Sequence, residues 1–411
     1  MTERGMVIVG AGESGAKAAI ELRNKGWSGL ITIIGEEKLA PYERPPLSKQ
    51  LLTMKEEPKP VFINQEIAEQ YNIRLLTGKK AGRIDRNTHT IKLDDGSSVS
   101  YERLLLATGA RPRIMSLNDS DLSKMLYLRT FADTLALRKG LLLGTKVAVI
   151  GGGFIGLEVA ASAVDRGCSV TVVEAAPRIL MRGVPEGIAR LVEARHLAAG
   201  VAMKVGMGID RIHMEGDQHV ILFADGTKLL CDSIVVGIGA IPETALASES
   251  GLDIENGIKA DERLSTSDSD IFAAGDCCSF PHSLYDGRRI RLEAWRNAQE
   301  QGMHAAGSML GGTDSYSVIP WFWSDQYEQT LQVVGLPDAG EVTVSRDLGE
   351  AGQLFFHLNK EGRMIAASGF GPSAGIAKEI RIAEMLIERG ATPVLEQLAQ
   401  PNVRLKTFLS A

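Results

Sequence analysis

The chain has 411 residues, of which 44% are hydrophobic and 23% charged, and a formal net charge of −6. Such a length and composition support two or three domains with buried cores and exclude a disordered chain, while so small a net charge gives no nucleic-acid footprint and no polybasic membrane anchor. No apolar run of about eighteen residues occurs and no basic leader precedes the first strand, so the expectation is a cytoplasmic protein with no membrane association.

In chain order, "MVIVG" predicts a buried strand, a glycine turn follows, and "AKAAIELRNKG" predicts a helix whose Ala19, Ile20 and Leu22 share a face. "LITIIGE" completes a βαβ unit. An alternating stretch at 73–98 reads as hairpin-like, and "YERLLLATGARP" as a buried strand. The pattern then repeats: "KVAVIGGGFIGLEVAASAVDRGCSVTVVE" is strand, glycine turn, helix ending at Gly167 and strand, closed by "SIVVGIGAIPET". "TSDSDIFAAGDC" adds a short buried strand too late for the second unit, so the first domain resumes there. From about 317, clustered aromatics, alternating strands and the helix "AGIAKEIRIAEMLIERG" predict a third, α+β domain.

The expected class is α/β, with two Rossmann-like dinucleotide-binding domains, at 1–112 with 242–316 and at 113–241, and a C-terminal α+β domain at 317–411. In the first fingerprint Gly10 permits a tight turn, Gly12 lets backbone approach a pyrophosphate, and Gly15 allows close helix–strand packing. The helix N-terminus then meets the anion, and Glu36 ends the next strand where a carboxylate can accept from ribose hydroxyls. Gly151, Gly153 and Gly156 repeat the geometry, with Glu174 in the corresponding place. A carboxylate there favours a free 2′-hydroxyl, and Ala175 and Ala176 follow it, so NADH is expected; Arg178 is the one nearby residue that argues for NADPH.

The four cysteines, Cys168, Cys231, Cys277 and Cys278, have neither C-x-x-C nor C-x4-C spacing, which excludes a disulfide scaffold and a resident iron–sulfur cluster. The adjacent Cys277 and Cys278 read as small buried residues. The seven histidines form no triad or metal pattern.

"PYERPPLSK" (41–49), "ATGARPR" (107–113), "LRTFADT" (128–134) and "IFAAGDC" (271–277), in this order around two fingerprints, resemble the two-dinucleotide-binding flavoproteins of the glutathione reductase superfamily. The resemblance is closest to the putidaredoxin reductase-like ferredoxin reductases that serve Rieske oxygenases and bacterial cytochromes P450, and it covers essentially the whole chain. It implies that the first fingerprint holds FAD and the second NADH. On it, the FAD site takes Gly10, Ala11, Gly12, Gly15, Glu36, Arg44, Pro46, Lys49, Ala81, Ala107, Thr108, Gly109, Arg129, Asp276, Glu293, Ala294, Trp295 and Trp321. Asp276 would bond the ribityl chain, Trp295 would lie beside the flavin, and the helix starting there would aim its N-terminus at the isoalloxazine. The NADH site takes Gly151, Gly152, Gly153, Phe154, Ile155, Gly156, Glu158, Glu174, Arg178 and Gly239. Lys49 and Glu158 are expected to form a buried ion pair near the flavin atom that receives hydride.

The implied activity is electron transfer from NADH through FAD to a [2Fe–2S] ferredoxin that supplies a P450 or Rieske oxygenase, with the protein a monomer or weak homodimer. Its members that reduce disulfides carry a cysteine pair near the flavin, and this chain has none there. Two alternatives stand beside it: the same chemistry with rubredoxin, a quinone or monodehydroascorbate as acceptor, and an apoptosis-inducing-factor-like protein that senses NADH. Arg288, Arg289 and Arg291 offer a cationic patch for an acidic ferredoxin, against the plainer reading of a solvated hairpin.

Overall fold

The computed structural model describes residues 4–59, 65–181 and 183–409; those positions of the expected domains at 1–3, 60–64, 182 and 410–411 lie outside the described residues. The chain divides into two compact units: Met1–Arg44, Lys59–Arg111 and Ile241–Val318 form one, and Pro45–Pro58, Pro112–Ala240 and Ile319–Ala411 the other. The second and third expected domains thus fall in one unit, which also takes in residues 45–58, a segment assigned to the first domain by the sequence.

The first unit is built on a sheet in which strands Ile73–Thr77, Ile31–Gly35, Gly5–Val9 and Ser98–Leu106 run parallel, and Ile271–Ala273 adds beyond Ser98–Leu106, again parallel. Gly5–Val9 and Ile31–Gly35 are buried at every residue, as strands covered on both faces must be. Helix Glu13–Asn24 packs on helix Trp295–Met309, so closely that a Cβ on Gly302 would lie 2.3 Å from the Ser14 carbonyl oxygen. The stretch 73–98 is not one hairpin-like segment. Ile73–Thr77 extends the parallel sheet, and only Ala81–Asp85 and Thr90–Leu93 pair antiparallel, the latter onto Ser98–Leu106. An edge strand of a parallel sheet is half-exposed, so in sequence Ile73–Thr77 reads like a hairpin strand.

The second unit repeats the parallel core in the order Ala202–Val205, Ser169–Glu174, Lys146–Ile150, Ser233–Val236. Helix Phe154–Asp165 is rich in alanine and buried on nearly all sides. It ends in a Schellman turn, with Cys168 N–H donating to Ala163 and Gly167 N–H to Val164, and Gly167 supplies the φ of +81° that the turn needs. A five-stranded antiparallel sheet follows, in the order Trp321–Gln326, Gln329–Gly335, Met364–Pro372, Gln353–Leu358, Val342–Asp347. Its central strand is covered by helix Ser373–Glu388 and by helix Glu186–Ala198. Leu331, Val333, Phe355 and Phe370 of this sheet share one hydrophobic core with Val147, Val149, Leu157 and Val172, and Leu52 joins it from the 45–58 segment. That shared core explains why the last residues do not form a body of their own.

Arg346 shows how the C-terminal turns are fastened. It is buried, and its guanidinium donates to the carbonyls of Leu398 at 2.7 Å, Val403 at 3.0 Å and Gln397 at 3.3 Å. Arg346→Met would leave three carbonyls without a donor, so we expect a loss of about 3 kcal/mol and a melting temperature lowered by roughly 5–10 °C. A calorimetric melt within about 1 °C of wild type would contradict this role.

Candidate functional site

Both glycine turns have the architecture their spacing implies. Gly10 has φ +120°, donates to Ile34, and a Cβ there would meet the Ala107 carbonyl oxygen at 2.0 Å. Gly151 has φ +110°, donates to Val173, and a Cβ would meet the Gly237 oxygen at 2.3 Å. Cβ atoms on Gly15 and Gly156 would lie 2.0 and 2.1 Å from the oxygens of Gly10 and Gly151. Gly12 and Gly153, the N-caps of the two helices, instead face open space, and no side chain caps either helix. Helix Phe131–Gly140, by contrast, is closed by a Thr130–Asp133 capping box. Two helix N-termini without a capping acceptor, each behind a turn only glycine can make, fit the pyrophosphates of two dinucleotides.

In the first unit Glu36 is exposed just past the end of its strand, with Lys80 3.4 Å away and Ala81 opening strand Ala81–Asp85. Ala107 bonds to Val9, Thr108 donates to the Glu243 carbonyl at 2.5 Å, and Gly109 has φ +71°. Arg44 is held by Glu37 at 2.7 Å, and Glu37 also accepts from Tyr42. Asp276 follows Gly275, whose N–H donates to Gln301, and Glu293, 2.7 Å from Arg291, leads through the N-cap Ala294 into the helix that Trp295 opens. The sequence reading passed over Glu13. It is buried in the first turn of its helix, Gln299 donates to one carboxylate oxygen at 2.5 Å, and burial raises its pKa.

In the second unit both oxygens of Glu174 are engaged, one by Gly152 N–H and one by Ala176 N–H, each at 2.7 Å. The Arg178 guanidinium donates to the carbonyls of Ile179, Leu180 and Val184 at 3.0, 2.8 and 3.3 Å. Phe154 stacks edge-on against Phe322, Ile155 is exposed, and Gly239, with φ +106°, accepts from Arg113. Pro46, Lys49, Arg129 and Trp321, grouped by the sequence with the first fingerprint's site, all belong to this unit. Arg129 precedes the capping box, and its N–H donates to Asp133.

Lys49 and Glu158 meet. The ammonium lies 3.3 Å from Glu158 Oε1, with Glu158 4% and Lys49 19% exposed. Ser48 donates to Oε2 of the same carboxylate and Ser324 to Oε1 at 2.6 Å. Burial raises the Glu158 pKa, while Lys49 and both hydroxyls oppose the rise. Lys49 also lies 5.3 Å from the ring centroid of Trp323, which stacks on Trp321. The serines carry no sequence signal, because hydroxyl partners recruited across distant segments leave no spacing to read.

Residues 4–302 match the family model described as "Pyridine nucleotide-disulphide oxidoreductase", and residues 321–409 match "Reductase C-terminal". The chain belongs to the pyridine nucleotide-disulphide oxidoreductase family. This oxidoreductase is 39% identical to the ferredoxin–NAD(+) reductase component of the anthranilate 1,2-dioxygenase system of Burkholderia cepacia, over 98% of each chain. It is also 39% identical to a rubredoxin–NAD(+) reductase of Pseudomonas putida, over 88% of this chain and 94% of that one. Its fold matches the reductase in the covalent putidaredoxin reductase–putidaredoxin complex with a TM-score of 0.92 at 34% identity, covering 99% and 98% of the two chains.

Despite the family's name, the thiols of this oxidoreductase are not placed for disulphide chemistry. All four cysteines are free and buried, and burial pushes the Cys277 and Cys278 thiols up. Among the described residues no His, Cys, Asp or Glu cluster is arranged to hold a metal ion, and no helix is long and apolar enough to cross a membrane. Of the three arginines considered as a patch, Arg289 donates to Ala260 and Ser279 and Arg291 to Asp276, all backbone carbonyls. That internal use weakens the case for a three-charge docking surface.

Proposed function

We propose that the chain is an NADH:ferredoxin oxidoreductase that holds FAD at the first fingerprint and NADH at the second, and passes electrons to a [2Fe–2S] ferredoxin serving an oxygenase. The observation that carries it is the pair of glycine cradles, each opening an uncapped helix, in a chain whose four thiols are all buried. Bound FAD would accept hydride from NADH and release the electrons singly to an iron–sulfur acceptor. Glu36 would receive the adenosine ribose, the Gly10–Gly15 turn the pyrophosphate, and Asp276 the ribityl hydroxyls. Trp295 would line the FAD site, and Lys49 is held by Glu158 at 3.3 Å. In the second unit the Gly151–Gly156 turn would take the NADH pyrophosphate, and the spare lone pairs of Glu174 would take the ribose. The relationship to the anthranilate system supports a Rieske-type oxygenase as the final consumer. Rubredoxin is the second reading, favoured by a relative equally identical over most of its length.

Anaerobic mixing with NADH is expected to bleach the yellow protein, and the reduced protein then to reduce a [2Fe–2S] ferredoxin. Bleaching without ferredoxin reduction, but with rapid reduction of rubredoxin, would transfer the assignment to the second reading. NADPH is expected to be at least about 100-fold poorer in kcat/KM, since Glu174 repels a 2′-phosphate. Arg178→Met should weaken both nucleotides alike, because its guanidinium holds the carbonyls of Ile179, Leu180 and Val184; a selective loss of NADPH would show that it reaches the phosphate.

A further inference from the structure

Glu158 is the end of a longer polar chain, all of it within the second unit. Ser324 Oγ, 2.6 Å from Glu158, lies 3.1 Å from Gln326 Nε2; Gln326 Oε1 lies 3.0 Å from His196 Nε2; and His196 Nδ1 lies 3.1 Å from the Tyr327 hydroxyl. One charge settles every proton in this chain. An ionised Glu158 can only accept, so Ser324 must donate to it and accept from the Gln326 amide. The Gln326 carbonyl then faces His196, which must carry its proton on Nε2, and its bare Nδ1 accepts from Tyr327. Four donors point the same way, towards the carboxylate, and aligned bonds of this kind strengthen one another in a dry interior.

A local cost supports the reading. Tyr327 is the first residue of the two-residue turn between Trp321–Gln326 and Gln329–Gly335 and has φ +57°, a conformation that a bulky side chain adopts only against strain. His196 is fully buried, and burial pushes its pKa down to about 4, which keeps the single-proton tautomer over the working range. The charges around it are accounted for. Arg195 lies over the Tyr327 ring at 4.0 Å and is paired with Glu328 at 2.8 and 2.6 Å, with Asp165 also in its field. Facing Glu158 are Lys49, Ser48 and Ser324.

We propose that His196, Gln326 and Tyr327 are positioning residues that keep the Ser324 hydroxyl donating to Glu158 and so keep that carboxylate ionised and aimed at Lys49. The inference rests on the role given to Glu158 above, and its test separates the two. In the FAD-loaded protein the carbonyl stretch of protonated Glu158, assigned by its loss in Glu158→Gln, is followed by infrared spectroscopy across the pH range, and the rate of flavin reduction by NADH is followed in parallel. His196→Leu frees Gln326 to reverse and is expected to raise the protonation midpoint of Glu158 by about one pH unit, with Tyr327→Phe giving a smaller rise in the same direction. His196→Gln, which restores an N–H donor, should return the midpoint towards wild type. An unmoved midpoint in folded His196→Leu and Tyr327→Phe overturns the proposal; Tyr327→Phe alone decides it if His196→Leu does not fold. A midpoint that moves while the pH profile of flavin reduction stays fixed upholds the chain and removes Glu158 from the hydride-transfer site.

Discussion

Gly10→Ala is expected to give a colourless protein, whereas Gly151→Ala is expected to stay yellow but no longer bleach with NADH. Both substitutions demand a backbone that L-residues rarely adopt, and both drive a methyl group into a fixed carbonyl, of Ala107 in one case and Gly237 in the other. Strain and overlap together cost roughly 2–4 kcal/mol, enough to open the turn and lower dinucleotide affinity by about 30- to 1,000-fold. FAD absorbance after gel filtration and anaerobic NADH titration read the two turns separately. A Gly151→Ala protein that loses its flavin, or a Gly10→Ala protein that keeps it, would show that the cofactors are assigned to the wrong fingerprints.

Lys49→Met is expected to slow flavin reduction by NADH about 10- to 100-fold, as misplacement of a group near the reacting atoms does. Its effect on stability depends on pH in a defined direction. Burial already places the folded pKa of Glu158 above that of the unfolded chain, and removing Lys49 raises it further. Below the unfolded carboxyl's range the group is protonated in both states and no penalty exists. As pH rises through the folded pKa the carboxylate must be charged without its partner, at a cost of about 3–5 kcal/mol that Ser48 and Ser324 reduce. The difference in melting temperature between variant and wild type should therefore widen from pH 5 to pH 8. A constant difference would mean that Glu158 is not ionised beside Lys49, and an unchanged reductive half-reaction would remove Lys49 from the site.

The parts of this protein legible in its sequence are those where a steric requirement admits one residue type. Gly10, Gly15, Gly151 and Gly156 each abut a carbonyl oxygen, and no other residue fits. The apolar runs Met6–Val9 and Val147–Ile150 beside them announce a sheet covered on both faces. Lys49 and Glu158 came from resemblance rather than periodicity, and their side chains do meet. What escaped notice was held by single contacts between distant segments. Ser48 and Ser324 lie 110 and 166 positions from Glu158, His196 lies 130 from Gln326, and Arg346 reaches carbonyls more than 50 residues away. None of these leaves a repeat or a spacing. The engagement of Arg178 was hidden for a different reason, because an arginine four positions after the strand-end carboxylate Glu174 looks the same in sequence whether it faces a ligand or its own backbone.

The strand Ile271–Ala273 is inserted at the exposed flank of Leu104–Leu106 from more than 160 positions downstream. On a translating ribosome the first sheet therefore waits with one side unpaired while the whole of 112–240 emerges. Helix Trp295–Met309, against which helix Glu13–Asn24 rests, arrives later still. Nascent chains ending before about residue 310 should sediment with chaperones and take up no flavin, and cofactor loading is then a late event in biosynthesis, gated by the emergence of the last helix of the first unit.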